Sequence, residues 1–394
     1  MKKQTQAIHL EYERRDAYDS LSVPVYNTLA YEFDNAAIMS EAFTDKIKAP
    51  DYSRVENPTV TNLERRVAAL TDAAHATAFN SGMAAISNTL MSLAAQGKNI
   101  VTSKHLFGNT YALLVATLRR FGVKVRLRDL TNIETVREAI DDDTCCVFLE
   151  ILTNPQLEVA DLKAISKVAH EKNVPLVVDS TVIPFTQFSA KSLGVDIEVV
   201  SSSKYVSGGA TSLGGLVIDY GTPYNGDFAK RLYGEMLFNF GAYMTPQVAY
   251  MQTIGLETLD ARYRVQSCNA LELAKKLRTL PQIQYVNYVG LEDNPYHELA
   301  QRQFGKTAGA MICIDLESKE ACFNFLDNLK LIHRATNLFD NRSLAIHPAS
   351  TIFGAFSENM RRSMDVKDTT IRLSVGLEDV DDLFEDIKQA VESL

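Results

Sequence analysis

The chain has 394 residues, too many for one ordinary hydrophobic core, and its 46% hydrophobic and 23% charged residues give the profile of a globular protein of about two or three domains. A formal net charge of -9 and a pI near 5.4, with lysine and arginine scattered among acids, argue against nucleic acid as the main partner. No run approaches the roughly 18 apolar residues of a membrane helix, and Met1 to Gln6 leads into Glu11, Glu13 and two arginines rather than an apolar signal segment, so a cytoplasmic protein without a membrane partner is expected.

Residues 1–60 lack sustained periodicity and contain Pro24, Pro50 and Pro58, which predicts an extended arm with short helical pieces that packs on a neighbouring subunit. Thr61-Asn62-Leu63-Glu64 then reads as a capping box, with Leu63, Val67 and Leu70 following at helical spacing. Over 61–250, β-rich runs alternate with helical pattern. The runs are Ala76 to Phe79, Asn99 to Thr102, Val123 to Leu127, Cys146 to Glu150, Pro175 to Asp179 and Ile197 to Ser201, and the helices include Gly82 to Leu93 and Asp161 to Glu171. Mostly apolar strands between helices predict an α/β domain with a mainly parallel sheet covered on both faces and ligands at the strands' carboxyl ends. Residues 251–394 predict a smaller α/β domain: a long helical stretch, strands near Gln284 to Tyr288, Ala308 to Leu316 and Ile371 to Val375, and a terminal helix from about Asp381. Five cysteines, an odd number without C-x-x-C spacing, read as free and mostly buried thiols, with neither a disulfide framework nor a metal site.

Three strand ends carry the chemistry. Ser201-Ser202-Ser203-Lys204 follows a buried strand and runs into Gly208-Gly209. A lysine that forms a Schiff base must be partly desolvated, and flanking hydroxyls suit an anionic phosphate. Asp179 closes Leu176-Val177-Val178, where a carboxylate can hold a pyridine nitrogen protonated. Asn80-Ser81-Gly82-Met83 joins a strand to a helix, and free N–H groups with the helix dipole suit a phosphate there. Taken singly, the lysine run reads more readily as a surface loop and Asp179 as a helix cap or loop acid, and a simple tight turn explains Asn80 to Met83 almost as well. Their order on one sheet points to a pyridoxal 5'-phosphate (PLP) site.

The residues resemble the Cys/Met-metabolism PLP enzymes. The markers are Tyr52-Ser-Arg54-Val-Glu-Asn57-Pro58-Thr59, Ser81-Gly82-Met83, Asn154-Pro155, Val178-Asp179-Ser180-Thr181, Ser201-Ser-Ser203-Lys204-Tyr205, Gly255-Leu256-Glu257-Thr258-Leu259, His347-Pro348-Ala349-Ser350 and Arg372-Leu373-Ser374-Val375-Gly376, spread over nearly the whole chain. The resemblance implies fold type I of the PLP-dependent transferases, with Lys204 bearing the cofactor and Asp179 on its ring nitrogen. It places Gly82, Met83, Ser201 and Ser203 on the phosphate, and Phe107, Asn154 and Thr181 beside the cofactor. Arg372 is implied to clamp the substrate carboxylate, with Asn337 near it. Tyr52 and Arg54 are implied to reach the phosphate of an adjacent subunit, in a homotetramer built from two catalytic dimers.

Departures from the common pattern narrow the reading. Phe107 stands where many relatives have a tyrosine, so it can stack on the ring but exchange no proton. Asn109 replaces the cysteine typical of methionine γ-lyases. Gly208 to Gly215 and Thr336 to Leu344 look like the acetylhomoserine sulfhydrylase versions, although a histidine is missing, Phe339 replaces a glycine and Arg342 replaces a glutamate of the cystathionine enzymes. These positions predict that Phe339 reshapes the pocket and that Arg342 disfavours an amino-acid nucleophile. The implied reaction is γ-replacement on O-acetyl-L-homoserine by sulfide or methanethiol, with homocysteine or methionine as product. The alternatives are γ-elimination of the methionine or cystathionine γ-lyase type, cystathionine γ-synthase or O-succinylhomoserine sulfhydrylase chemistry, and a catalytically idle PLP-retaining scaffold, which the intact Asp179, Lys204 and Arg372 count against.

Overall fold

The apolar runs become a seven-stranded sheet in the computed structural model, which describes residues 1–10, 18–44, 46–306 and 308–394. Glu11, Glu13 and the two arginines after them lie outside the described residues. The strands are β1 (His75–Phe79), β2 (Asn99–Ser103), β3 (Lys124–Arg128), β4 (Thr144–Glu150), β5 (Leu176–Asp179), β6 (Ile197–Val200) and β7 (Gly215–Asp219), in the spatial order β1-β7-β6-β5-β4-β2-β3. β2 through β6 run parallel, as strands joined by crossovers must, and β2, β4, β5 and β6 are mostly buried. β7 lies antiparallel between β6 and β1, so the sheet is mixed. β7 is missing from the predicted strands because its five residues follow directly on a glycine-rich run and carry too little period to stand out.

The first long helix, Pro58–Thr71, starts a turn earlier than predicted. Asn57 rather than Thr61 is its cap: the Asn57 side chain accepts the Thr59 N–H at 3.0 Å, and Pro58 occupies the first position, where no N–H is needed. Leu63, Val67 and Leu70 form its buried stripe. Before it, the helices Lys3–His9 and Ala36–Phe43 punctuate the arm. Lys3 Nζ donates to the carbonyls of Phe185 and Phe188, and Arg66 Nη1 to that of Ala7, so the start of the arm is fastened to its own chain. Further along, Leu21, Leu29 and Phe43 are exposed.

The smaller sheet, β8 (Tyr285–Asn287), β9 (Met311–Asp315), β10 (His333–Arg334), β11 (Leu344–Ile346) and β12 (Thr370–Ser374), has the order β10-β11-β12-β9-β8. The long helical stretch divides at Thr258 into Pro246–Glu257 and Leu259–Leu277. One hydrophobic core runs from under the large sheet into the small one, and a second fills the large sheet's other face. All five cysteines are free; Cys268 is exposed. No helix among the described residues is long and apolar enough to cross a membrane.

Candidate active site

The carboxyl ends of β4, β5 and β6 open on a cleft of about 730 Å³, which residues of the smaller domain close from the other side. β6 ends at Val200, and the chain then turns through Ser201–Ser203 to Lys204, whose side chain enters the cleft. Lys204 Nζ donates to Asn337 Oδ1 at 2.7 Å. Burial, followed by the positive charge of Arg372, brings this amine down to about 8, so a useful fraction is neutral near neutral pH.

β5 delivers Asp179 to the same cleft. The Thr181 N–H donates to its Oδ1 at 2.9 Å, and Thr181 Oγ1 accepts the Ser201 N–H at 2.8 Å, which ties the acid to the lysine loop. Burial pushes the Asp179 carboxyl up against the opposing Thr181 hydrogen bonds. A protonated ring nitrogen placed there would offset that penalty.

The third wall is the start of the helix Gly82–Leu93. Ser81 Oγ accepts the Ala84 N–H at 3.1 Å, which leaves the Gly82 and Met83 N–H groups at helical positions that have no intrahelical acceptor. A methyl group on Gly82 would sit 2.6 Å from Ser201 Cβ, and one on Gly215 would sit 2.2 Å from the Ser81 carbonyl oxygen. The absence of side chains at these two positions therefore lets the lysine loop and β7 close on the turn. Ser203 also lines the cleft, but its Oγ donates to the Gly214 carbonyl at 3.1 Å and accepts the Gly214 N–H at 2.8 Å.

Arg372, from β12, is 2% exposed. Its Nη1 donates to Asn154 Oδ1 at 3.2 Å and its Nη2 to the Asn337 carbonyl at 3.3 Å, while its buried Nε has no acceptor. Burial brings the guanidinium down to about 10. Among the described residues it makes no ion pair, so a structural salt bridge does not explain it, whereas a substrate carboxylate would.

Three sequence-predicted residues do not line the cleft: Asn337, which touches it through Lys204 Nζ and Arg372 Nη2, and Tyr52 and Arg54. Tyr52 is 41% exposed, and Arg54, 5.5 Å above its ring, donates to the Phe238 carbonyl at 2.5 Å. Phe107 does line the cleft, and its N–H donates to Glu150 Oε1 at 2.5 Å. Glu150 itself escaped the sequence reading although it ends β4 as Asp179 ends β5. Neither Phe339 nor Arg342 lines the cleft. Phe339 takes the left-handed conformation (φ 57°), buries its ring and stacks on Tyr205, 4.0 Å between centroids, behind the lysine loop. Arg342 is exposed and pairs with Asp340 at 3.4 Å, away from the cleft.

A helix N-terminus, a strand-end acid, a lowered lysine and an unpaired guanidinium in one cleft fit the phosphate, ring nitrogen and aldehyde of PLP and the carboxylate of an amino acid. Comparison with known proteins agrees. Residues 4–392 match the family described as Cys/Met metabolism PLP-dependent enzyme. The chain is 38% identical to the L-methionine gamma-lyase of Fusobacterium nucleatum subsp. polymorphum, over 99% of this chain and 98% of that one. It is 32% identical to the O-acetyl-L-homoserine sulfhydrylase of Corynebacterium glutamicum, over 98% and 95%. A crystal structure from Campylobacter jejuni, described as an O-acetylhomoserine (thiol)-lyase and containing N'-pyridoxyl-lysine-5'-monophosphate, superposes with a TM-score of 0.95 at 34% identity over the whole of both chains. The fold is fold type I of the PLP-dependent enzymes, and the cofactor is PLP.

Proposed function

The chain belongs to the Cys/Met metabolism family of PLP-dependent enzymes, which replace or eliminate substituents of sulfur-pathway amino acids, and from that premise we propose γ-replacement on O-acetyl-L-homoserine by sulfide or methanethiol, giving homocysteine or methionine. The supporting observation is the wall of the cleft beyond Lys204 and Arg372. Leu213, Leu338, Ile352, Ala355 and Phe356, with Thr336 and Thr351 among them, make it largely apolar, and the ionisable residues of this chain that line the cleft are Glu150, Asp179, Lys204 and Arg372. Such a wall suits a small neutral acyl group better than a succinyl carboxylate.

When bound, PLP draws electrons through the substrate's amino nitrogen, which makes Cα and then Cβ acidic. Arg372, its plane set by Asn154 and the Asn337 carbonyl, grips the α-carboxylate and brings Cα to Lys204. The Lys204 amine, aimed by Asn337, takes the Cα proton and returns protons later. Asp179 keeps the ring nitrogen protonated, and the Gly82 and Met83 N–H groups with Ser201 hold the phosphate. Phe107 covers the ring and exchanges no proton, so proton traffic falls to Lys204. Over the reaction the Cγ–O bond breaks, acetate leaves with its electron pair, the thiol sulfur bonds to Cγ, and the thiol proton balances the acetate.

The second reading is γ-elimination from L-methionine, supported by the relative of that name at 38% identity. Incubation with L-methionine separates the two readings: 2-oxobutyrate and ammonia at a rate above that of homocysteine formation from the acetyl ester and sulfide would favour elimination. The same reading divides the chain into an arm (1–60), a PLP domain (61–250) and a carboxylate-clamp domain (251–394). It assigns Tyr52, Arg54 and the exposed Leu21, Leu29 and Phe43 to subunit contacts in a homotetramer of two catalytic dimers. Sedimentation at a dimer or tetramer mass supports this assembly, and a monomer refutes it.

A further inference from the structure

Glu150 has no part in the account above, yet it touches several pieces of the site. It ends β4 abreast of Asp179 in the parallel β4/β5 ladder, is 7% exposed and lines the cleft. Its Oε1 accepts the backbone N–H of Phe107 at 2.5 Å, and the backbone N–H of Asn154 lies near enough to favour its charged form. Phe107 lines the cleft, and Asn154 orients the Arg372 guanidinium. One side chain thus joins the loop after β2, the loop after β4 and the acid at the end of β5.

We propose that Glu150 is a positioning residue, fixing the loops that carry Phe107 and Asn154, and that it does so uncharged beside an ionised Asp179. Two carboxyls abreast, Glu150 buried and Asp179 half-buried, cannot both ionise cheaply, and the charge settles on the one with the better counterpart. Asp179 accepts the Thr181 N–H and faces the ring nitrogen when PLP is bound, whereas Glu150 faces neutral amides. The cations of the cleft, Lys204 and Arg372, are engaged with Asn337 and Asn154. Burial first and the charge of Asp179 second push Glu150 up to about 8, against the Phe107 and Asn154 amides. A protonated carboxyl still accepts an N–H through its carbonyl oxygen, so the positioning survives protonation, and a glutamine side chain offers the same shape and acceptor.

The test compares Glu150→Gln with Glu150→Ala in the PLP-loaded protein. The readouts are PLP affinity from titration of apoprotein, the pH titration of the bound cofactor's absorption, and kcat and KM separately. Glu150→Gln should keep all of them within about threefold and leave the spectroscopic titration in place. Glu150→Ala should weaken PLP binding and raise KM about tenfold each, the scale of one lost buried hydrogen bond. If Glu150→Gln fails as Glu150→Ala does, or moves the spectroscopic titration by about one pH unit or more, the charged form is needed and the proposal falls. An unaffected Glu150→Ala variant refutes the positioning role, and if that variant does not fold, the glutamine result decides alone. The proposal rests on assigning the cleft to PLP, which PLP binding by the unaltered protein checks separately.

Discussion

Replacing Gly82 with alanine probes the phosphate turn with the least chemical change. The new methyl would lie 2.6 Å from Ser201 Cβ and 2.7 Å from Ser201 Oγ, about 1 Å inside ordinary carbon–carbon contact. Ser81 has little room to retreat, because Gly215 of β7 approaches so closely that a methyl there would lie 2.2 Å from the Ser81 carbonyl oxygen. The strain must therefore separate the helix start from the lysine loop, which are the two elements proposed to hold the phosphate. Adding one methyl to a packed site costs about 1–3 kcal/mol, and if that appears in cofactor binding, PLP affinity falls roughly 5- to 150-fold. Titrating Gly82→Ala apoprotein with PLP, followed by the absorption of the bound cofactor, measures this directly. An unchanged Kd together with an unchanged melting temperature would refute the close-approach argument.

Arg372→Lys keeps the charge but loses the planar fork, so KM for the homoserine ester should rise about 10- to 100-fold with PLP affinity unchanged; equal KM values would remove the carboxylate clamp. Phe107→Tyr puts a hydroxyl beside the cofactor, and the ratio of 2-oxobutyrate to homocysteine should rise; an unchanged ratio would show that this position does not steer the reaction. His105 bridges the two parts of the molecule, with Nδ1 3.1 Å from Glu158 and Nε2 2.8 Å from Asp365. Burial opposes its protonation, but the hydrogen bonds and charges of Glu158 and Asp365 outweigh burial and hold its pKa above the ordinary value. Its stabilising contribution is therefore complete below the unfolded pKa near 6.5 and is lost as pH rises through the higher folded value. His105→Gln should lower the melting temperature more at pH 6 than at pH 9, and an equal loss at both would contradict the charged bridge.

Lys204, Asp179 and the Asn80–Met83 turn were legible because each closes or follows a buried run with a clear period, where an α/β sheet presents side chains to a ligand. Glu150 carried the same signal, an acid at the end of an apolar strand, and could have been found by it. What pairs with what was less legible. The Lys204–Asn337 hydrogen bond spans 133 residues, and nothing local announces it. Phe339 and Arg342 show a related limit: an unusual residue marks a position in the chain but not the direction of its side chain, and here one turns into the core and the other into solvent. Strands as short as β10 and β11 lie below the length at which a period can be read. The cap at Asn57 was hidden by a second plausible cap, Thr61, one turn later.

The most direct measurement is product analysis after incubating the purified PLP-loaded protein with O-acetyl-L-homoserine, with and without sulfide, beside O-succinyl-L-homoserine and L-methionine. The expected result is homocysteine that appears only with sulfide, forms faster from the acetyl than from the succinyl ester, and disappears in Lys204→Ala. Release of 2-oxobutyrate and ammonia as the main products even with sulfide present would contradict it and establish the chain as a lyase.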